Sequence, residues 1–351
     1  MPPEQKVPAL AGVWNALPCA WGGPRGRGRL RADPADFRVV EIPVTEPEGQ
    51  GEHLWVYVRK TGANTDWVAR ALARHAGVSP AAVSYAGMKD RHAVTEQWFS
   101  IQMPGMDAPD WNVFAEPGVE ILRMARHGRK LKRGALRGNR FSLVIRAFDG
   151  DQDCIEHRLG QIAAHGVPNY FGDQRFGRDG GNLAQADALF AGTLRASRTQ
   201  RGLYLSAARS ALFNRVLAER VRDGSWCAPR AGDVLQLDGR SACFVFDPDD
   251  ATLAPRLEAM EVHCTGPLVG RGDTLVRDAA LAAENVWLAP WRAWCEGLAK
   301  QGVEAARRSL RVRVADLEWH WNADERSLAL RFALAAGSFA TSVLRELVDG
   351  E

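Results

Sequence analysis

Short segments in which apolar and polar residues alternate recur along the chain, separated irregularly by segments with helical periodicity. HLWVYVRK places Leu54, Val56 and Val58 on one face, as in a half-buried strand. NTDWVARALARHAG has helical periodicity, with Asn64 or Thr65 as its cap. The pattern predicts a chain that mixes strands and helices.

The same reasoning predicts elements along the rest of the sequence. The predicted strands are FRVVEI, VSYAG, WFSIQM and RFSLVIR, and the predicted hairpins are DVLQLDGRSACFVF and LEWHWNADERSLALRFAL. The predicted helices are residues 152–165, SAARSALFNRVLAERVRDG, residues 279–300, VEAARRSL and FATSVLRELV. A length of 351 residues suggests two domains, and the helix end at Gly166 marks a soft boundary between them.

Composition excludes several classes of protein. An apolar content of 46% with 25% charged residues is typical of a globular protein, and no stretch approaches the ~20 apolar residues of a membrane helix. The first residues lack the apolar core of a signal peptide, so we expect a cytoplasmic protein that does not associate with membranes. The six cysteines show no zinc-site spacing, and we expect no metal site. GxxxxGK[ST], GxGxxG, GxSxG and HExxH are absent, which argues against nucleotide hydrolases, simple dehydrogenases, serine esterases and zinc peptidases.

The distribution of charge says more than the net charge of +3. No carboxylate occurs between Glu120 and Asp149, although the segment is rich in basic residues. These are Arg123, Arg126, Arg129, Lys130, Lys132, Arg133, Arg137, Arg140 and Arg146. A second basic stretch, GPRGRGRLR, ends at Arg31. Cations without compensating acids favour a polyanionic partner such as a phosphate backbone; the alternative is that some of them simply face solvent.

The segment AGMKDRHAVTEQ has the most unusual local chemistry. Gly87 allows a sharp turn, after which Lys89, Asp90 and Arg91 follow in succession. Flanking cations favour an ionised aspartate, which suits a nucleophile or base better than a proton donor. The alternative is a surface turn in which Asp90 caps the next segment.

Two further segments are candidates for nucleic-acid recognition. RGNRF places Asn139 and Phe141 just beyond the basic stretch, where an amide can pair with a base edge and a ring can stack on a base. Alternatively, Asn139 is a turn amide and Phe141 belongs to the strand core. The glycine-rich loop NYFGDQRFGRDGGN is suited to phosphate contact. An equally good alternative is a connection that glycine permits, with Tyr170, Phe171 and Phe176 tucked into a domain interface.

Taken together, these segments resemble the TruD family of tRNA pseudouridine synthases. The motifs that carry the resemblance are PADFRVVE, GEHLWVYVRKTGANT, AGMKDRHAVTEQW, RKLKRGALRGNRFSLVIR, VPNYFGDQRFG, LSAARSALFN and AAGSFATSVLRELV. The resemblance implies an α+β fold: a pseudouridine-synthase catalytic domain with a mixed, largely antiparallel sheet, interrupted by a TruD-specific α/β insertion domain. The implied catalytic domain spans residues 1–164 and 316–351, and the implied insertion spans residues 165–315.

The resemblance also implies a function and a set of site residues. The expected reaction isomerises uridine 13 of the tRNA D-arm to pseudouridine, with no metal or organic cofactor and with tRNA as the partner. No obligate protein partner is evident. Asp90 is the implied catalytic carboxylate. The implied substrate-binding residues are Phe37, Asn139, Phe339, Arg31, Lys89 and Phe141, where Arg31 replaces a lysine of relatives. The basic residues expected to contact the RNA backbone are Arg129, Lys130, Lys132 and Arg133.

Two other functions compete with this interpretation. An RNA-binding module without chemistry explains the basic stretches but gives no reason for the Lys89-Asp90-Arg91 turn. A carboxylate-based glycosidase ordinarily needs a second, paired acid, which no other segment clearly offers.

Overall fold

A computed structural model describes residues 17–350. The chain divides into two units, each assembled from segments that are distant in sequence. The sheet unit comprises Arg25–Ile155, Val314–Gly337 and the residues from Val348. The helix-rich unit comprises the described residues up to Pro24, Glu156–Arg313 and Ser338–Leu347.

The strands and helices of the described residues, in chain order, have the following bounds. The strands are β1 (Gly26–Leu30), β2 (Phe37–Pro43), β3 (His53–Thr61), β4 (Val83–Tyr85), β5 (Val94–Gln102), β6 (Val119–His127), β7 (Leu136–Gly150), β8 (Val167–Pro168), β9 (Val234–Leu237), β10 (Cys243–Val245), β11 (Val262–Leu268), β12 (Ala306–Ser309), β13 (Arg311–Val312), β14 (Ala315–Asn322), β15 (Ser327–Ala335) and β16 (Val348–Gly350). The helices are α1 (Thr65–His75), α2 (Gln152–His165), α3 (Gly181–Phe190), α4 (Arg198–Arg222), α5 (Leu253–Glu258), α6 (Asp278–Leu288), α7 (Arg292–Lys300) and α8 (Ala340–Leu347).

One large sheet organises the sheet unit. Its strands run in the order β14-β15-β7-β2-β5-β3-β6, with β1 and β16 joined through β7 and β4 added to β5. The pairs β2–β5 and β1–β16 are parallel and the other pairs are antiparallel. The prediction of a mixed, largely antiparallel sheet is therefore confirmed.

Helix α1 covers one face of this sheet. Val56 and Val58 of β3 point to that face at the period of two that the sequence shows, and both are fully buried. Val68 and Leu72 of α1, four residues apart on one helical face, pack into the same cluster. This core supports the end of β3 and the turn that precedes β5.

The helix-rich unit is built around α4. Its apolar stripe, with Leu212, Phe213 and Leu217 buried, belongs to a core that also contains Val262 and Cys264 of β11. Strand β11 lies in a four-stranded sheet of order β10-β9-β11-β12.

Most predicted elements form, but VEAARRSL is not the predicted helix. Its second half is β12, which pairs antiparallel with β11 from Leu268↔Ala306 to Thr265↔Ser309. Alanine and arginine favour helix, but intrinsic propensity is a weak preference, and pairing with a buried neighbouring strand outweighs it. Strands β1 and β6 were not predicted, because glycine and arginine obscure the alternation in GRGRL and VEILRMARH.

The two units do not coincide with the implied domains. The segments 17–24, 156–164 and 338–347 fold with the helix-rich unit, although the resemblance assigns them to the catalytic domain. They are tied to one another, because Arg158 Nη1 donates to the carbonyl of Glu346 at 3.1 Å and the Glu346 carboxylate accepts the backbone N–H groups of Ala20 and Trp21. The implied domain boundaries stay a prediction.

Candidate active site

Asp90 lies on the turn that connects β4 to β5, and its carboxylate has two partners. Oδ1 accepts the backbone N–H of His92 at 3.0 Å, and Oδ2 lies 2.8 Å from Nη2 of Arg31. The Asp90 side chain remains 24% exposed. The local turn that served as the alternative explanation is therefore present, but it occupies only one carboxylate oxygen.

The cation that contacts Asp90 comes from a distant part of the sequence. Neighbouring Lys89 pairs with Glu41, and Arg91 Nε donates to the carbonyl of Gly62 at 3.1 Å. Arg31, just after β1, has φ of 58°, a left-handed conformation that is unusual for a non-glycine residue. Such conformations cluster at functional sites, and the side chain of Arg31 forms the ion pair with Asp90.

A row of packed aromatic rings extends from this ion pair into the sheet. The Arg31 guanidinium carbon lies 4.2 Å from the centre of the Phe37 ring. Phe37 packs edge-to-face with Phe141 at 6.3 Å, and Phe141 stacks on Phe332 at 5.4 Å. Phe37 and Phe141 are each only 6% exposed. Phe141 is thus a core residue that packs against Phe37, as the alternative interpretation of this residue held, and its role in substrate binding stays a prediction.

Asn139 lies in β7 and is not a turn amide. It is paired in the sheet between Glu41 of β2 and Leu334 of β15. Its side-chain oxygen Oδ1 is buried and has no hydrogen-bond partner within residues 17–350. A buried acceptor without a partner costs about 1–3 kcal/mol, so this atom is suited to a donor that a ligand brings.

Lys89 and Gly87 differ in detail from what the sequence suggested. The Lys89 side chain is only 5% exposed, and its ammonium contacts the Glu41 carboxylate at 2.5 Å. Burial raises the pKa of the Glu41 carboxyl, and Lys89 partly offsets that rise. Gly87 does not adopt a positive φ, and an added Cβ would meet only Lys89 Nζ, at 3.4 Å. The sharp turn therefore does not depend on glycine freedom at position 87.

Phe339 belongs to the helix-rich unit, unlike the other implied substrate residues. It precedes α8 and packs edge-to-face with Phe171 at 6.3 Å. Phe171 is part of the glycine-rich loop, and Tyr170, Phe171 and Phe176 are all buried in the core of that unit. These rings are therefore packed away from solvent in the core of this unit. The participation of Phe339 in the site stays a prediction.

The acid-free stretch is partly compensated by acids from elsewhere in the chain. Arg123 pairs with Glu46, Arg146 with Asp36, and Arg133 lies 3.9 Å from Asp66. These acids lie outside the stretch in sequence, and in the folded chain they neutralise part of its positive charge.

The four residues that are expected to contact the RNA backbone fall into two pairs. The Arg133 guanidinium lies over the Tyr85 ring at 3.7 Å, and Lys130 Nζ donates to the carbonyl of Ala81 at 3.3 Å. Arg129 and Lys132 are exposed, and neither side chain forms a hydrogen bond or ion pair with any described residue. These two are the better candidates for contacts to a polyanion.

Sequence reasoning missed the polar residues beneath the Asp90 turn. Lys60 and Glu41 are 0% and 3% exposed. The sequence does indicate that Lys60 is buried, because Lys60 continues the face of Leu54, Val56 and Val58 at the period of two. A charged residue in the register of buried ones is rarely placed there without a partner.

The described residues contain no group of three or more histidine, cysteine, aspartate or glutamate side chains placed to hold a metal ion. In the same part of the chain no helix is long and apolar enough to span a membrane.

Comparison with known proteins gives consistent results over almost the whole chain. The model of the family described as tRNA pseudouridine synthase D (TruD) matches residues 18–188 and 181–347. The tRNA pseudouridine synthase D of Methylococcus capsulatus is 51% identical over 337 residues, which cover 96% of this chain and 95% of the relative. That of Hydrogenovibrio crunogenus is 47% identical over 331 residues, covering 94% and 95%.

A solved structure shows the same fold. The crystal structure of a candidate tRNA pseudouridine synthase D from Methanosarcina mazei superposes with a TM-score of 0.76, covering 97% of this chain and 98% of the other. The sequence identity is 22%, so this likeness bears on the fold alone.

Proposed function

Because the chain belongs to the tRNA pseudouridine synthase D (TruD) family of isomerases, we propose that it converts uridine 13 of the tRNA D-arm to pseudouridine, with Asp90 as the reacting carboxylate and without a metal or organic cofactor. The family itself was predicted from the motifs and is confirmed, as is the prediction of an enzyme. The position in the tRNA and the residue roles rest on the resemblance and on the geometry of the sheet unit.

The observation that carries the role of Asp90 is its carboxylate, which is 24% exposed and contacts Arg31 at 2.8 Å beside the Phe37 ring. The reaction detaches uracil from C1′, turns it and rejoins it through C5, so nothing is oxidised or hydrolysed. One carboxylate is sufficient for each of the three available routes, which are attack on C1′, attack on C6 of the base and removal of the 2′ proton. Among residues 17–350, the contact that the second oxygen makes is with the His92 N–H alone.

Base recognition is assigned to Asn139 and the adjacent rings. The unpartnered Asn139 Oδ1 can accept the N3–H of uracil, whose edge alternates C=O, N–H and C=O. Phe37 would supply apolar surface that keeps water from the detached base. The substrate-binding role of Phe339 rests on the resemblance alone.

The partner of the enzyme is tRNA, with Arg129 and Lys132 as the first candidates for backbone contacts and Lys130 and Arg133 as secondary ones. Lys89 would contribute to the site through its ion pair with Glu41 rather than as a free cation. A cytoplasmic location fits a substrate of this kind. No obligate protein partner is part of the proposal.

The test is to map pseudouridine by carbodiimide labelling in unmodified tRNA that has been treated with the purified protein. The proposal predicts one new stop at position 13 and undiminished conversion in excess chelator, provided that the RNA remains folded. A stop at another position would refute the site specificity. Release of free uracil would instead favour the glycosidase, and loss of conversion in chelator would refute the metal-free chemistry.

A further inference from the structure

Lys60 is a fully buried lysine at the end of β3, directly beneath the Asp90 turn. Its exposed fraction is 0%, and its strand neighbours across the sheet are Thr95 and Val119, which are uncharged. Within the described residues, no carboxylate oxygen lies within 4.0 Å of its ammonium. Burying an ammonium without an adjacent counter-ion is costly, so its position calls for a specific explanation.

The ammonium is directed at the backbone of the turn. Lys60 Nζ donates to the carbonyl oxygen of Asp90 at 2.7 Å and lies 3.5 Å from that of Lys89. A hydrogen bond from a charged donor to a carbonyl is stronger than a neutral one. The residue whose backbone is held most closely is the one that carries the candidate catalytic carboxylate.

Two neutral side chains complete the attachment. The Thr65 hydroxyl accepts the backbone N–H of Lys89 at 3.0 Å, and Gln97 Nε2 donates to the carbonyl of Gly87 at 2.9 Å. The turn is thus fixed by hydrogen bonds at Gly87, Lys89 and Asp90 from three different elements, α1, β3 and β5. Only Lys60 among these three supports carries charge.

We propose that Lys60 is a positioning residue for the isomerisation, acting as an ammonium ion that fixes the Asp90 backbone and maintains positive potential beneath its carboxylate. The inference rests on the proposed role of Asp90. It predicts that the reaction requires the protonated form of Lys60.

The Lys60 ammonium can lose its proton only slightly above neutral pH. Burial lowers its pKa to about 8; Lys89 also lowers it and Asp90 opposes the shift. Thr65, Gln97 and Thr95, which face it from α1 and β5, are uncharged. Because the pKa is lower in the folded protein than the ordinary 10.5, the unfolded chain binds this proton more tightly. Folding stability therefore gains from this group as pH rises from about 8 towards 10.5, while the positioning interaction is lost.

In the wild-type enzyme, the rate and the folding stability should therefore change differently with pH. The single-turnover rate of bound tRNA should fall as pH rises through about 8, approaching tenfold per pH unit, while the melting temperature shows no matching fall. A purely structural lysine would not produce this divergence. A rate that stays constant to about pH 10 would overturn the proposal without any variant having to fold.

Because the uridine N3–H also loses its proton in alkali, the fall in rate at high pH does not by itself identify Lys60. Variants of Lys60 make that assignment. Lys60→Met should lower the rate at neutral pH by at least about tenfold and remove the fall near pH 8, with tRNA affinity within a few-fold of wild type. Lys60→Arg, which stays cationic, should retain more rate than Lys60→Met and shift the fall upward. Arg59→Met, on the opposite face of β3, is the matched control and should leave the profile unchanged.

The outcomes separate this inference from the proposed function. Lys60→Met with the wild-type rate, or with the wild-type fall near pH 8, refutes the positioning role. If Asp90→Asn turns over normally, the role of Asp90 fails and the inference fails with it. If Asp90→Asn is inactive while the Lys60 variants match wild type, only the inference about Lys60 is refuted.

Discussion

Asn139→Ala should affect turnover and stability in opposite directions. In the free protein the side-chain Oδ1 is buried without a partner among the described residues, which already costs about 1–3 kcal/mol of folding free energy. Removing the amide removes that cost, so the melting temperature should stay the same or rise. In the complex the same change deletes an acceptor for uracil and leaves the base edge unpaired, which costs about 1–3 kcal/mol. At 1.36 kcal/mol per factor of ten, the rate should fall between about 5-fold and 150-fold.

The assay is single-turnover conversion at saturating enzyme, combined with a thermal melt of each variant. Asn214→Ala is the matched control, because Asn214 Oδ1 accepts the Phe171 N–H at 2.9 Å and its Nδ2 donates to the Phe171 carbonyl at 2.8 Å. That variant should lose melting temperature. If Asn139→Ala converts bound tRNA at the wild-type rate, or destabilises as much as Asn214→Ala, the assignment of Asn139 to base recognition is wrong.

Two further predictions concern charge. Arg31→Met should lower the single-turnover rate more than Arg31→Lys, because lysine keeps a cation near Asp90 although it loses the planar guanidinium over Phe37; equal rates in the two variants would show that the cation is not needed. Changing Arg129 and Lys132 together to alanine should weaken tRNA binding and flatten the slope of log Kd against log salt by about one to two units. An unchanged slope would show that both cations face solvent.

The motifs and the local periodicity predicted much of the sheet unit. Val56, Val58, Val68 and Leu72 could be assigned to buried faces because their spacing follows directly from strand and helix geometry. The segment VEAARRSL was assigned wrongly because its strand pairing depends on β11, about forty residues earlier, which local periodicity does not contain.

The candidate site was predictable as a set of residues but not as an arrangement. Asp90 was expected to interact with the cations on either side of it, whereas its ion pair is with Arg31, which β1 supplies from a distant part of the sequence. Likewise, Lys89 is neutralised by Glu41 of β2. Such pairings depend on strand order, and a single sequence does not encode strand order in any local pattern.

The central claim is that the Asp90 carboxylate performs the chemistry, and Asp90→Asn tests it most directly. The amide keeps the size of the side chain and an oxygen that can accept from Arg31 or His92, so binding and folding should be preserved. The account predicts no conversion of bound tRNA in a single turnover, with Kd for tRNA within a few-fold of wild type because phosphate contacts supply most of the affinity. Conversion by Asp90→Asn at close to the wild-type rate would contradict it.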